Sequence, residues 1–114
     1  MEKETEIKMQ QLSLLEQNLQ NFLLQKQSFQ IQLMEINSAL EELKRVKHAF
    51  KIVGNIMVKS DKESLEKELT SRKETFELRI KNIEKQEKRL RERAAEIRKE
   101  VLGNIENEKK KKTG

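Results

Sequence analysis

The sequence predicts a mostly α-helical chain in which two long helices form an antiparallel coiled coil with one β-hairpin at the bend. Two heptad patterns, separated by a short β-branched segment, favour this fold. The composition agrees with it, because 39% of the 114 residues are charged, 34% are hydrophobic, and Pro, Cys, Trp and Tyr are absent. Such a chain lacks the apolar side chains for a thick core and the turn residues for many short elements.

The first predicted helix covers residues 5–47. Its apolar residues recur alternately three and four positions apart, which is the spacing of a coiled-coil seam. No Gly or Pro interrupts this line, and Lys26 is its one polar occupant. The seam consists of Leu12, Leu15, Leu19, Phe22, Phe29, Leu33, Ile36, Leu40 and Leu43, together with Lys26.

Residues 49–59 break the helical period and predict a β-hairpin, because they are apolar, β-branched and centred on Gly54 and Asn55. A two-residue loop would pair Val53 with Ile56 and place three apolar residues on each face. A three-residue loop over 53–55 would collect the apolar residues on one face and the lysines on the other, which is the cleaner arrangement. Since an isolated hairpin is marginal in water and its edges invite pairing, we expect hairpins from several chains to join into a closed sheet or barrel.

The second predicted helix covers residues 61–106, and a basic, disordered tail is predicted for 107–114. Ser60 and Glu63 fit a capping box at its start. Two interleaved heptad lines then run along the helix, and Glu87 is a polar member of the second line. The first line is Leu69, Phe76, Ile83, Leu90 and Ile97; the second is Lys73, Ile80, Glu87, Ala94 and Val101.

The two seams can face each other in two registers. The numbers of two residues that face each other across the seam add up to 109 in one register and to 116 in the other. In both registers Lys26 and Glu87 lie in adjacent layers. The two side chains therefore either form an ion pair across the seam, which would fix the register, or extend their charges to water.

The composition also argues against several classes of function. Without Cys and with a single His, the chain offers no Cys-based zinc site, thiol nucleophile or His cluster. We find no nucleophile–base pair or phosphate-binding loop, so we expect no enzyme activity, no metal and no cofactor. No apolar run approaches the roughly 18 residues of a membrane span, and the first ten residues lack a signal-peptide core. These patterns predict a soluble, cytoplasmic protein.

Two segments resemble a known family. Residues Phe50–Lys59, followed by Asp61, Lys62 and Glu63, resemble the linker of prefoldin β subunits of archaeal type, and Glu77–Glu92 resembles the second helix of that family. The resemblance covers about residues 12–105. One hairpin points to the β type, because α subunits of the family carry two. The chain departs from the family in two ways: it has Phe50 at a position where the family commonly has Tyr, and its link before the hairpin is basic.

The resemblance implies an ATP-independent chaperone, a hexamer of two α and four β subunits with a double β-barrel platform. Its coiled-coil ends hold non-native proteins and deliver them to a group II chaperonin. The family implies assembly through the hairpin residues Phe50, Ile52, Gly54, Asn55, Ile56, Met57 and Val58. We expect client contacts where the seams end, at Ile7, Met9, Leu12, Val101, Leu102 and Ile105, with ordinary seam packing as the alternative.

Two other classes of function remain. A structural coiled-coil tether would explain the heptads but not the apolar hairpin. A basic helical hairpin that binds nucleic acid or the ribosome would fit the net charge of +5, but no aromatic stacking residues lie between the arginines of the second helix. Lys109 to Lys112 supply most of that charge, and we expect them to be solvated or to dock on an acidic chaperonin face.

Overall fold

The computed structural model describes the backbone of residues 2–113 and the side chains of residues 2–110. The elements in chain order are helix α1 (Lys3–Leu43), strand β1 (Ala49–Val53), strand β2 (Ile56–Ser60) and helix α2 (Lys62–Thr113). The predicted fold class, with two long helices and one antiparallel hairpin, is confirmed. The chain divides into two compact units: unit 1 is the described part of Met1–Gln25 and Ile83–Gly114, and unit 2 is Lys26–Asn82.

Helix α1 ends at Leu43, four residues before the predicted boundary. Leu43 is buried and is the last residue of the predicted seam. The backbone N–H of Arg45 then donates to the carbonyl of Glu42 at 3.0 Å. A bond that reaches back three residues tightens the final turn, so the helix ends where burial along the seam ends.

Helix α2 begins one residue later than predicted, and a different side chain caps it. The carboxylate of Asp61 accepts from the backbone N–H of Ser64 at 3.4 Å and from its hydroxyl at 3.0 Å. Asp61 is therefore the N-cap, and the predicted role of Ser60 as the cap is wrong. Ser60 instead pairs with Ala49 at the end of the sheet, so the helix cannot begin before Asp61.

The far end of α2 also differs from the prediction. The helix continues to Thr113, where a disordered segment is predicted from residue 107. Lys and Glu are good helix formers, and Glu106 stands four residues before Lys110, the favourable orientation for an ion pair along a helix. Lysines also suit the negative end of the helix dipole. The charges that suggested disorder are thus compatible with helix.

Both predicted seams lie on the inner sides of the helices. Every seam residue from Leu12 to Leu43 and from Leu69 to Val101 is buried or half-buried. In unit 1 the core includes Ile83, Ala94, Ile97 and Val101, and in unit 2 it includes Ile36 and Leu43. Within the part of the chain that the structure describes, neither helix has a stretch apolar enough to cross a membrane.

Contacts inside each unit select the register in which facing numbers total 109. In unit 2 the rings of Phe29 and Phe76 lie 5.7 Å apart. The alternative register would place Phe76 opposite Leu40, eleven residues and about 16 Å along the helix from Phe29. In unit 1 the ammonium group of Lys8 lies 3.3 Å from the carboxylate of Glu100. The register that totals 109 places Lys8 opposite Val101, the residue next to Glu100.

The hairpin has a two-residue loop. Val53 pairs with Ile56, Ile52 with Met57 and Lys51 with Val58, so the three-residue loop that we favoured is wrong. Gly54 has a φ of 61°, and no described non-Gly residue has a positive φ. A positive φ at the first loop residue alone is the pattern of a type II′ turn, whose twist suits a two-residue hairpin and which favours Gly at that position.

The N-cap assignment gives a direct test of the fold. We expect Asp61→Ala to lower the free energy of unfolding by about 1 kcal/mol, because the first turn of α2 loses its acceptor. Ser60→Ala should change it little. Urea unfolding followed by circular dichroism measures both variants, and an equal loss in the two would contradict the assignment.

Candidate functional site

The hairpin carries an unusual concentration of exposed apolar side chains. Ile52 is 70% exposed and Ile56 is 67% exposed. The pairing places Phe50, Ile52 and Met57 on one face and Val53, Ile56 and Val58 on the other, so both faces of the sheet are apolar. Val53 was missing from the predicted assembly residues because the favoured three-residue loop left it off the apolar face. All six residues are exposed to solvent: Phe50, Ile52, Val53, Ile56, Met57 and Val58.

The base of the hairpin is anchored to the helices of unit 2. Ala49 is buried at the start of β1. The ammonium group of Lys51 lies 3.0 Å from each carboxylate oxygen of Glu68 on α2. Both side chains are partly exposed. The ion pair with Glu68 thus connects the apolar strand β1 to α2. Nothing in the sequence of α2 predicts this ion pair.

A recess of about 340 Å³ lies beside the hairpin base. The hairpin contributes Phe50 and Met57 to its lining, and the helices contribute mainly aliphatic side chains, including Leu43, Leu65 and Leu69. The helix ends therefore leave the apolar base of the hairpin only partly covered. The exposed apolar surface of the hairpin is suited to packing against other apolar surface.

The second candidate surface is in unit 1, where the first and last described turns of the chain lie together. The backbone N–H of Glu2 donates to the carboxylate of Glu108 at 2.8 Å. Lys8 lies 3.3 Å from Glu4 and 3.3 Å from Glu100. Farther along the same unit, Arg98 reaches Glu16 at 2.9 Å. Polar contacts therefore join α1 and α2 at this end.

The predicted client residues divide into two groups in the structure. Ile7, Met9 and Leu102 point outward, and Leu102 is 61% exposed. Val101, in contrast, is 8% exposed and occupies an ordinary seam position. Leu12 and Ile105 are half-buried. Unit 1 thus exposes three of the predicted apolar contacts and covers the other three to different degrees.

The structure extends the seam of unit 1 one heptad beyond the predicted residues, and this extension is polar. Thr5 and Lys8 lie seven residues before Leu12 and Leu15, and Asn104 and Glu108 lie seven residues after Ile97 and Val101. Thr5 is fully buried, and the other three residues are half-buried. Counting one more heptad would have found these positions, but their polar side chains gave no hydrophobic signal. We call Thr5, Lys8, Asn104 and Glu108 the polar seam end.

The charge on Lys8 is stabilised by its neighbours. The Glu100 carboxylate, and to a lesser degree Glu4, raises the pKa of the Lys8 ammonium group above its ordinary value. Because the pKa is raised, the stabilisation from this pair is fully present below the ordinary lysine pKa and is lost as the pH rises from there through the elevated value. Lys8 is therefore a cation throughout the physiological range.

Lys26 and Glu87 are the two polar seam residues predicted to fix the register. The first is half-buried and the second is buried. Lys26 is half-buried in unit 2. Glu87 is 2% exposed in unit 1, and Arg91 lies 3.4 Å from its carboxylate. Arg91 satisfies part of the hydrogen-bonding need of a buried carboxylate, a partner that the sequence reasoning missed. A pairing of Lys26 with Glu87 stays a prediction.

The Lys51–Glu68 contact gives a test of how the hairpin is anchored. We expect Lys51→Glu and Glu68→Lys, each alone, to speed amide exchange in residues 49–60 about threefold, because each replaces an attraction by a repulsion. The double variant should restore much of the protection by reversing the pair. Hydrogen exchange of the full chain measures all three, and a double variant no better than the singles would contradict the anchoring role.

Comparison with known proteins assigns the architecture to a family. The family described as "Prefoldin subunit" matches residues 6–110. The prefoldin subunit beta of Archaeoglobus fulgidus is 45% identical over 94 residues, which cover 80% of this chain and 81% of that protein. The prefoldin subunit beta of Sulfurisphaera tokodaii is 40% identical over 98 residues, which cover 83% and 76%.

A solved structure shows the same fold. The crystal structure of the prefoldin beta subunit from Thermococcus strain KS-1 matches with a TM-score of 0.84 and 31% sequence identity, covering 90% of this chain and 93% of that one. The match includes two long helices and the hairpin between them. The chain therefore belongs to the prefoldin subunit family of chaperone components, and within it to the archaeal beta type.

Proposed function

We propose that this chain is the β subunit of a cytoplasmic, ATP-independent prefoldin hexamer with two α and four β subunits. In this proposal the hairpins assemble the hexamer, and the coiled-coil ends capture non-native proteins and deliver them to a group II chaperonin. The observation that carries the proposal is the hairpin, whose six apolar side chains are exposed on both faces. Family membership supports the chaperone role.

The energetics of the hairpin support assembly. Burial of apolar surface contributes about 25 cal/mol per Å², and here that gain is available only if another chain covers the hairpin. The sheet has two strands, so its outer edges offer unpaired backbone groups to a neighbouring strand. A tether or a nucleic-acid-binding hairpin would have no use for such a surface. Hairpins that join edge to edge satisfy the backbone groups and bury the side chains together.

The end of unit 1 supports client capture. Ile7 and Met9 on α1 and Leu102 on α2 are exposed near the first and last described turns of the chain. Non-native proteins share exposed apolar surface rather than a common sequence, so contact with them has to be non-directional. The flexible thioether of Met9 suits such contact because it adapts to different shapes.

The size of the assembled complex is the primary test. The chain, mixed with its cognate α subunit, should form a hexamer when its mass is measured by light scattering. A coiled-coil tether would instead give a dimer. Suppression of the aggregation of a denatured protein, without added ATP, then tests the chaperone activity of the complex.

The hairpin surface can be tested by substitution. Ile56→Asp with Val58→Asp should abolish the hexamer while leaving the helical circular dichroism signal unchanged, because two charges would have to be buried without partners. Ile31→Asp with Met34→Asp is the matched control, since these residues are comparably exposed but lie on α1. A hexamer formed by the hairpin variant, or lost in the control, would contradict assembly through this surface.

The client surface can be tested in the intact complex. We expect Met9→Ser with Leu102→Ser to weaken suppression of aggregation several-fold, because apolar contact area is lost. Leu24→Ser with Leu78→Ser is the control, as these exposed residues lie away from the chain ends. Unchanged suppression by a hexamer of the first variant would remove these residues from the client surface.

A further inference from the structure

Residues 44–60, which comprise the link after α1 and the hairpin, carry positive charge and no negative charge. They contain five Lys and Arg residues and no Asp or Glu. We call residues 44–60 the basic hairpin segment. Its exposed apolar side chains favour a partner. Its charge bears on which partner that is, because charge complementarity discriminates between competing partners more than it sets total affinity.

Two lysines of the basic hairpin segment are paired inside the chain. The ammonium group of Lys44 lies 3.2 Å from the carboxylate of Glu41, and that of Lys51 lies 3.0 Å from the carboxylate of Glu68. Within the part of the chain that the structure describes, Lys59 makes no ion pair or side-chain hydrogen bond. Lys59 is also exposed, so its charge is available to a neighbouring chain.

Lys59 lies on an apolar face of the sheet. The register pairs it directly with Phe50, and Ile52 and Met57 lie on the same face. The sheet has two strands, so the outer edge of β2 can receive a further strand. A strand that pairs there places a side chain about 5 Å from Lys59 on the same face. A partner that covers this face by edge pairing therefore sets a side chain beside an unpaired charge.

A second copy of the chain offers no favourable neighbour for Lys59 from its own hairpin. Strands β1 and β2 contain one lysine each and no Asp or Glu, so every charge on two such hairpins is positive in whatever register they meet. The acids nearest in sequence, Glu42 and Asp61, lie at the helix ends, and the Asp61 carboxylate already accepts from Ser64. Since like charges repel strongly in a partly desolvated interface, a copy of this chain is disfavoured as the direct neighbour.

A strand of a different protein suits this face when it carries Asp or Glu among apolar residues. Its apolar side chains would cover Phe50, Ile52 and Met57, and its carboxylate would accept a charge-assisted hydrogen bond from Lys59. The long lysine stem can pack on apolar neighbours while the ammonium group stays at the rim. Nucleic acid would satisfy the charge but not the three apolar side chains.

We propose that Lys59 selects the neighbour of the hairpin: the surface disfavours a second copy of this chain and binds a strand of a different subunit that sets a carboxylate beside Lys59. This inference rests on the proposed function for the assembly itself, and it adds the chemistry that the neighbouring subunit must present. Apolar burial supplies affinity for either neighbour, and the charge distinguishes between them. Where both are present, hairpins of this chain join the acidic partner rather than one another.

The chain alone tests the disfavoured contact. Sedimentation equilibrium at low salt should show a monomer. An equimolar mixture of the unsubstituted chain and the Lys59→Glu chain should associate about tenfold more tightly than the unsubstituted chain alone, because the mixture pairs a cation with a carboxylate. Lys85→Glu is the matched control, since this exposed lysine lies on α2 in the other unit, and its mixture should behave like the unsubstituted chain.

The complex with the cognate α subunit tests the favoured contact. We expect Lys59→Glu to weaken association about tenfold, and Lys59→Arg, which keeps the charge, to change it little. Binding of the unsubstituted chain should weaken as salt is raised, because salt screens the attraction. Isothermal titration calorimetry at low and high salt measures these affinities, with Lys85→Glu again as the control. Circular dichroism checks that each variant keeps its helices.

The outcomes separate this inference from the proposed function. A mixture with Lys59→Glu that associates no more tightly than the unsubstituted chain alone would overturn the charge selection. So would an affinity for the α subunit that Lys59→Glu lowers no more than Lys85→Glu does. Binding of an RNA oligonucleotide that Lys59→Glu abolishes, with affinity for the α subunit unchanged, would assign the charge to nucleic acid instead. If the unsubstituted chain forms no complex with the α subunit, the proposed function fails, while the measurements on the chain alone still decide how Lys59 acts.

Discussion

Burial along one narrow seam is the interaction on which the structure depends. Long helices this rich in charge gain most of their stability from tertiary packing of one face rather than from intrinsic propensity. Here the packed face is a line of residues every three or four positions, and each predicted member of it is buried or half-buried. Single apolar side chains such as Ile31 and Met34 are exposed elsewhere on α1, but the hairpin exposes six of them on both faces of one small sheet. That concentration favours a partner that covers the hairpin.

The hairpin shows how this constraint leads to assembly. A two-residue loop with Gly54 at a φ of 61° sets a pairing in which both faces of the sheet are apolar. Packing one face against the helix ends would still leave the other exposed. The anchor between Lys51 and Glu68 holds the base of the hairpin without covering its tip. Association with other hairpins is the arrangement that covers both faces and pairs the strand edges.

The seams could be predicted because they follow from the residue period. The bend and the hairpin could be predicted because the period breaks at apolar, β-branched residues around Gly54 and Asn55. The loop length could not, because we preferred to separate the lysines from the apolar residues. That preference ignored Glu68, which lies seventeen residues after Lys51 and pairs with its ammonium group. This ion pair makes a lysine acceptable on an apolar strand. The cap was misassigned because sequence spacing does not show that Ser60 belongs to the strand. The polar seam end was missed because a polar heptad has no hydrophobic period to detect.

The seam is occupied by different kinds of side chain in the two units. In unit 2 the rings of Phe29 and Phe76 pack at 5.7 Å, and the guanidinium of Arg79 lies 5.7 Å and 5.8 Å from their centres. These contacts add aromatic and cation–π attraction to apolar burial. In unit 1 the polar seam end replaces such contacts by Thr5 and Asn104, which have no hydrogen-bond partners for their buried atoms. The backbone is helical in both places, so the two places differ in the side chains that occupy the seam. The proposed function requires adaptable apolar surface in one place and a firm frame elsewhere, and one heptad pattern with different occupants is compatible with both.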